Sequence, residues 1–252
     1  MSKHLPENRD KTVDEARREF MKKAAAGASV LTIAPGVVLV SAAPEAHAKA
    51  DPKKRWGMLI DTTRCASGCD KCVAACKAEN GWQAEEGSPT DPQWIRKVDV
   101  KDPKTGFSMS LPVMCQHCTN PPCVDVCPTG ASMKRPDGIV LVNRHICIGC
   151  RYCMMACPYK ARSFAHEEVP ENEKVPWAPR GQGCVESCTM CVHRIDAGGI
   201  PACAEACDKG AILFGDLNDP GSEISKRLAK EPSYQIRADL GCDPGVRYAR
   251  LP

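Results

Sequence analysis

Residues 147–158 read CIGCRYCMMACP: four cysteines spaced two, two and three residues apart, with a proline directly after the last. Three further groups repeat the theme. Cys65, Cys69, Cys72 and Cys76 lie in CASGCDKCVAAC; Cys115, Cys118, Cys123 and Cys127 lie in CQHCTNPPCVDVCP; Cys188, Cys191, Cys203 and Cys207 lie in CTMCVHRIDAGGIPACAEAC. With Cys147, Cys150, Cys153 and Cys157 these make sixteen of the 18 cysteines, leaving Cys184 and Cys242, which could pair as one disulfide or stay as free thiols.

Three chemistries use thiols at this density. An even count in an exported chain can be a disulfide framework, but thiols two residues apart are strained partners for one another. A chain of 252 residues also has no need of such dense stapling. Pairs of C-x2-C can close a tetrahedral zinc site, although runs that end in C-x3-C fit that use less well. A cubane iron–sulfur cluster needs one thiolate per iron. A C-x2-C-x2-C loop supplies three, with its amide N–H groups turned to the sulfides, and the fourth comes from another run, often from a cysteine just before a proline. Cys127-Pro128 and Cys157-Pro158 have that form.

These runs and their surroundings, over roughly residues 55–252, resemble the iron–sulfur electron-transfer subunits of the molybdopterin oxidoreductase and NrfD-linked membrane complexes. The resemblance implies an α+β fold of two interleaved bacterial 2[4Fe-4S] ferredoxin-like modules, the inner from the second and third runs and the outer from the first and fourth. It also implies four [4Fe-4S] clusters with crossed ligation. The first would use Cys65, Cys69, Cys72 and Cys207, the second Cys115, Cys118, Cys123 and Cys157. The third would use Cys127, Cys147, Cys150 and Cys153, and the fourth Cys76, Cys188, Cys191 and Cys203. A narrower likeness rests on RWGMLIDTTRC, RYCMMACPYKARSF, GCVESCTMCVHR and the ending FGDLNDPGSEISKRL…IRADLGCDPGVRYARL. It implies a hetero-oligomeric complex of dissimilatory sulfur metabolism. There the subunit would relay single electrons between an NrfD-like integral membrane quinone-interacting subunit and a periplasmic partner, with a multihaem cytochrome c subunit as neighbour. The first run departs from the pattern, with C-x3-C between Cys65 and Cys69. A cluster left incompletely ligated at Cys69 and open to a sulfur substrate is the enzymatic alternative to a relay.

Short elements must hold these loops. MLID (58–61), IVLV (139–142) and AILF (211–214) are apolar segments bounded by turn formers and read as strands; KCVAACKAE and PCVDVC read as short helices. RKVDVKDPKTGFSMSLPV reads as a hairpin turning at Lys101 to Gly106, either a docking element or a lid over a cluster. HEEVPENEKVPWAPRGQG, rich in proline and charge, reads as a loop wrapped on a neighbour, and residues 222–229 have helix potential. The organisation along the chain is then 55–110, the first ferredoxin half-module with its hairpin insertion; 111–179, the inner module; 180–215, completion of the outer module; and 216–252, a C-terminal tail.

Residues 1–48 have another purpose. Arg17-Arg18-Glu19-Phe20-Met21-Lys22, the apolar stretch 24–43 and Ala46-His47-Ala48 follow the order of a secretory signal with its cleavage site. The arginine pair resembles the twin-arginine type, which implies export of a folded chain to the periplasm, peripheral on the inner membrane. The apolar stretch is also just long enough to remain as an anchor, although Gly27, Pro35 and Gly36 weaken it as a helix.

The 34 basic and 31 acidic side chains form no long run of one sign, so no footprint for nucleic acid is present. Residues 1–48 hold 7 and 6 of these, leaving +2 for the remainder. Four cubanes with their thiolates would add about −8 and bring the protein near −6. Lys71, Lys77, Arg144, Arg151, Lys160, Arg162 and Arg194, all beside the runs, are candidates to compensate that charge. His117, His145 and His193 also lie in or near the runs and read as hydrogen-bond donors to the clusters or as surface groups rather than as ligands. No C-x-x-C-H is present for a c-type haem, and the sequence calls for no general base or nucleophile.

Overall fold

The computed structural model describes residues 50–82, 90, 92–171 and 174–251, together with the backbone of 30–34 and 37–40. In the N-terminal segment, β1 (Val30–Ala34) and β2 (Val37–Val40) pair antiparallel. The rest of the expected export signal, including Arg17-Arg18, lies outside the described residues. No helix among the described residues is long and apolar enough to cross a membrane.

Residues 50–252 form one unit organised on a four-stranded sheet. Its inner strand β3 (Trp56–Asp61) reads WGMLID, and alternation of side chains across the pleat sorts it. Met58 and Ile60 face the cysteine-bearing core, whereas Leu59 faces the opposite side with Ile224 and Ala249. Antiparallel to β3 runs β10 (Ile212–Asp216), with Ile212 opposite Ile60. On its other edge β12 (Val246–Ala249) runs parallel, with Val246 opposite Met58, and β11 (Ser233–Tyr234) completes the order β10-β3-β12-β11. The stretch read as a tail therefore supplies two strands of the central sheet, and Val246 and Tyr248 are fully buried. It also supplies α6 (Glu223–Lys230), capped by the Ser222 hydroxyl accepting from Ser225 N at 3.2 Å. Ile224 packs so closely on β10 that a Cβ at Gly215 would lie 2.8 Å from its Cγ2.

The expected hairpin is present as β4 (Ile95–Lys101) and β5 (Ser108–Met114), paired in unbroken register from Ile95–Met114 to Lys101–Ser108. Its turn closes with Gly106 at φ 72°. Trp94, Ile95, Leu111 and Met114 at its base join the core, while Val100 and Phe107 near the tip are exposed. Two smaller ribbons follow: β6 (Ser132–Lys134) with β7 (Val140–Val142), and β8 (Ser163–Phe164) with β9 (Val185–Glu186). The helices that carry cysteines are short, apart from α1 (Lys71–Asn80): α2 (Pro122–Asp125), α3 (Tyr152–Ala156), α4 (Val192–Asp196) and α5 (Ala202–Glu205). The mix of helix and sheet is the expected α+β class.

In the proline-rich stretch 166–183, expected to wrap on a neighbour, Val169, Ala178 and Arg180 are buried against this chain, while most of the other described residues are exposed. Arg180 forms a buried ion pair with Glu186, Nε to Oε1 at 3.0 Å, and donates from Nη1 to Gly81 O at 3.0 Å. Glu186 Oε2 also accepts from Trp94 Nε1 at 3.1 Å. Trp177 donates to Glu79 O and stacks on His193 at 5.2 Å. These contacts join it to partners scattered through the sequence from residue 79 to 193.

Candidate iron–sulfur centres

The four C-x3-C pairs explain how one chain can deal thiols to several centres. Residues four apart on a helix share a face and are about 6 Å apart along its axis. On α1, Cys72 goes to one group of thiols and Cys76 to the next, and Cys203 and Cys207 on and after α5 divide between the same two groups. Cys72, Cys207, Cys65 and Cys69 line one void. Cys76, Cys203, Cys188 and Cys191 line another, walled by Met58, Trp94, Ile95 and Met114. A third is lined by Cys115, Cys118, Cys123 and Cys157. Cys153 has Cys147 and Cys127 as electrostatic neighbours, and Cys150, in the same loop, is exposed.

The groups follow one another in space. Cys203 has Cys72 in electrostatic range, Cys188 has Cys115, and Cys123 has Cys153. The series is therefore Cys65/69/72/207, Cys76/188/191/203, Cys115/118/123/157 and Cys127/147/153, with Cys150 in the loop of the last. Spacing along the sequence does not contain this order.

Each run turns in the same way. The residue just before the second cysteine has positive φ in all four: Gly68 at 75°, His117 at 42°, Gly149 at 68° and Met190 at 57°. For glycine this conformation is free; for a bulky residue such as Met190 it is strained and persists only where its surroundings enforce it. A left-handed residue at this point can turn neighbouring N–H groups to one concave side, a nest for anions of the kind found at many iron–sulfur sites; in the fourth run Cys191 is left-handed as well, at 49°. Met190 N donates to Cys188 Sγ at 3.3 Å, Ser132 N to Cys127 Sγ at 3.3 Å and Ala211 N to Cys207 Sγ at 3.3 Å. The irregular C-x3-C of the first run is accommodated at Gly68, and Cys69 lines the void with its three companions.

Donor chemistry and space fit the group these loops imply. Burial pushes the Cys76 and Cys115 thiols up to about 12 and holds Cys188 and Cys203 well above the usual thiol range. Such groups stay ionised only when a bound cation takes up their charge. Burial also acts against Cys127, but hydrogen bonds from Ser132 N and the Thr129 hydroxyl outweigh it and bring that thiol below its ordinary value. Among the described residues no three His, Cys, Asp or Glu converge as ligands of a single ion. Thiols arranged around a void suit a cluster better than a zinc ion, whose ligand sulfurs sit about 2.3 Å from one point. None of the eighteen cysteines is in a disulfide.

The two cysteines outside the runs have distinct neighbours. Cys184 donates to Arg144 O at 3.3 Å and has Cys147 in electrostatic range. Cys242 is buried, and it and Cys118 both lie in electrostatic range of Tyr159.

Of the seven cations expected to compensate the clusters, Arg162 donates directly to a thiol, Nη2 to Cys123 Sγ at 3.1 Å. Others are engaged elsewhere: Lys71 pairs with Asp208 at 2.8 Å, Arg194 with Glu205, and Lys77, Arg144 and Arg151 lie over the rings of Trp82, Trp94 and Phe164. Three contacts were not expected from the sequence. Lys97 on β4 donates to Cys65 Sγ at 3.1 Å, and Trp82 Nε1 and Asn80 Nδ2 donate to Cys76 Sγ at 3.3 and 3.6 Å. An indole six residues after a cysteine, where α1 ends, is a readable signal; Lys97 depends on how the hairpin folds over the first run. His117 is fully buried and its Nδ1 accepts from Val140 N at 3.0 Å. Burial, with Arg55 and Arg162 nearby, lowers its pKa to about 3, so the ring is neutral. His193 binds Glu79 at 2.7 Å.

Comparison with known proteins agrees with this chemistry. Residues 107–217 match the family described as "4Fe-4S dicluster domain". The chain is similar to the Hdr-like menaquinol oxidoreductase iron-sulfur subunit 1 of Archaeoglobus fulgidus, 42% identical over 94% of this chain and 98% of the relative. It is similar to one of the subunits of the tetrathionate reductase of Salmonella typhimurium, 36% identical over 95% and 90%, and to the protein NrfC of Escherichia coli, 39% identical over 75% and 78%.

Proposed function

Because the chain belongs to this family of 4Fe-4S dicluster iron–sulfur subunits, we propose that it conducts single electrons through four [4Fe-4S] clusters in the order of the thiol groups above. It is an electron-transfer subunit of an oxidoreductase complex, not the catalytic one. The observation that carries the four-cluster reading is the grouping of twelve thiols around three pockets, with Cys127, Cys147 and Cys153 as a further set of neighbours and with adjoining groups linked by the C-x3-C pairs and by Cys188 beside Cys115.

When bound, such clusters cycle by one electron at potentials set by net charge, hydrogen bonds to sulfur and solvent exposure. The protein supplies each of these. Sixteen cysteines would ligate the iron. The amides of Met190, Ser132 and Ala211, the Trp82 indole and the Lys97 ammonium donate to sulfur, and the base of the hairpin keeps water from the first two groups: Pro112 walls one void and Trp94, Ile95 and Met114 the other. The hairpin thus acts as a lid. Cys65, Cys69 and Cys207 at one end of the series and Cys127, Cys147 and Cys150 at the other are the least buried members, so the two ends are where electrons enter and leave.

The narrower reading is that of a DsrO-type subunit of a DsrMKJOP complex, exported by the twin-arginine route and peripheral on the periplasmic face of the inner membrane. It would exchange electrons with an NrfD-like quinone-interacting subunit and sit next to a multihaem cytochrome c in dissimilatory sulfur metabolism. Support comes from the arginine pair and the apolar stretch after it, and from relatives whose names specify a menaquinol oxidoreductase and a tetrathionate reductase. The test is iron and acid-labile sulfide per chain after purification without oxygen. About sixteen of each is expected, four per cubane; iron near zero in a folded chain would refute the relay.

A further inference from the structure

Arg162 stands out among the charged residues of the core. Its side chain is 5% exposed, and Nη2 donates both to Cys123 Sγ at 3.1 Å and to Ser132 Oγ at 2.8 Å. Cys115 and Cys153 are also in electrostatic range. These thiols belong to two different groups, Cys115 and Cys123 to the third in the series and Cys153 to the fourth. Nε and Nη1 have no hydrogen-bond partner in the protein, and the charges acting on the guanidinium come from thiols rather than from a carboxylate.

A guanidinium so deeply buried is stable only where an anion compensates it. Its planar fork of five donors can serve acceptors on two sides at once, which a lysine ammonium does less well. We propose that Arg162 is the shared counter-ion of the two groups Cys115/118/123/157 and Cys127/147/150/153, raising the reduction potentials of both clusters and tying them to one charge. The inference rests on the four-cluster reading above. Arg162 acts here as a positioning residue for charge. It binds no iron, and its hydrogen bonds favour the more negative, reduced state on either side. Ser132 fixes one arm of the fork, and the amide of the same residue donates to Cys127 Sγ, so a single strand end serves both groups.

The test compares R162M and R162K with the parent in the full chain, purified without oxygen. Iron and sulfide are counted first; midpoint potentials follow by redox titration monitored by electron paramagnetic resonance. In loaded R162M, two of the four midpoints should fall while the other two stay. The fall should be at least tenfold in the reduction equilibrium, about 59 mV for one electron. R162K keeps the charge without the fork and should restore no more than one of the two. Four unmoved midpoints in loaded R162M would overturn the proposal, and if R162M fails to load, four unmoved midpoints in R162K would do the same. A parent chain without iron would instead refute the relay itself, so the two failures are distinguishable.

Discussion

Replacing Lys97 by methionine removes an ammonium that donates to Cys65 Sγ at 3.1 Å while keeping most of the stem that lies along the hairpin. Lys97 is half exposed, so its field is screened nearly as in water. One added electron at that distance then interacts by about 1.3 kcal/mol at a dielectric of 80. This is close to tenfold in the reduction equilibrium, or about 59 mV for one electron. The full value applies if the added charge sits at the corner ligated by Cys65, and about half of it if the charge spreads over the cluster. K97M should therefore lower one midpoint by roughly 30–60 mV and leave the other three in place. K97R should recover most of the loss. The assay is an anaerobic redox titration followed by electron paramagnetic resonance, on protein whose iron content equals that of the parent. An unmoved set of potentials, an upward shift, or equal shifts in several clusters would refute the assignment of Lys97 to the first group.

Further outcomes follow from the same geometry. R180M leaves Glu186 buried with Trp94 Nε1 as its remaining donor, and breaking such a pair costs about 3–5 kcal/mol; bleaching of the visible chromophore in denaturant should be faster by two orders of magnitude or more, whereas a change under threefold would show the pair to be dispensable. G68A forces a side chain to φ 75° at a cost of about 1–2 kcal/mol, so iron reconstitution should fall short of the parent by up to four atoms per chain, with a full complement counting against the shared turn. Burial works against charge on Asp61, but hydrogen bonds from Thr63 together with Arg250 and Arg227 outweigh it and hold the carboxyl below its ordinary value. That stabilisation is present above the unfolded pKa near 4 and is lost as pH falls through the lower folded value; D61N should flatten the acid limb of the stability profile, and identical limbs would dismiss the network.

Much of the site was readable because cysteine does little else at these spacings. A short apolar segment bounded by turn formers marked β3, the turn at Lys101 to Gly106 marked the hairpin, and KCVAACKAE and PCVDVC marked two of the helices. Reading failed where a residue's partner lay far along the chain. Lys97 meets Cys65 only once the hairpin has folded across the first run, and Arg180 meets Gly81 and Trp177 meets Glu79 only once the proline-rich stretch has wrapped back. The sequence VRYA is too short and too polar to announce a strand, yet it pairs with β3 along four residues because Val246, Tyr248 and Ala249 find a place in the core. The order of the groups depends on which loops abut, a property of packing that spacing does not carry.

The thiol groups are nested like brackets: residues 115–157 close the inner two, and the outer two wait for Cys188 to Cys207 to return to Cys65 and Cys76. The sheet that supports them waits longer still, since β12 begins at Val246 and pairs with β3 beginning at Trp56. Loop closure and contact order favour the inner brackets first. The molecule therefore has a timetable as well as a shape: every thiol of the inner groups has been made once Cys157 is in the chain, whereas Cys65, Cys69 and Cys72 lack Cys207 until most of the chain has followed.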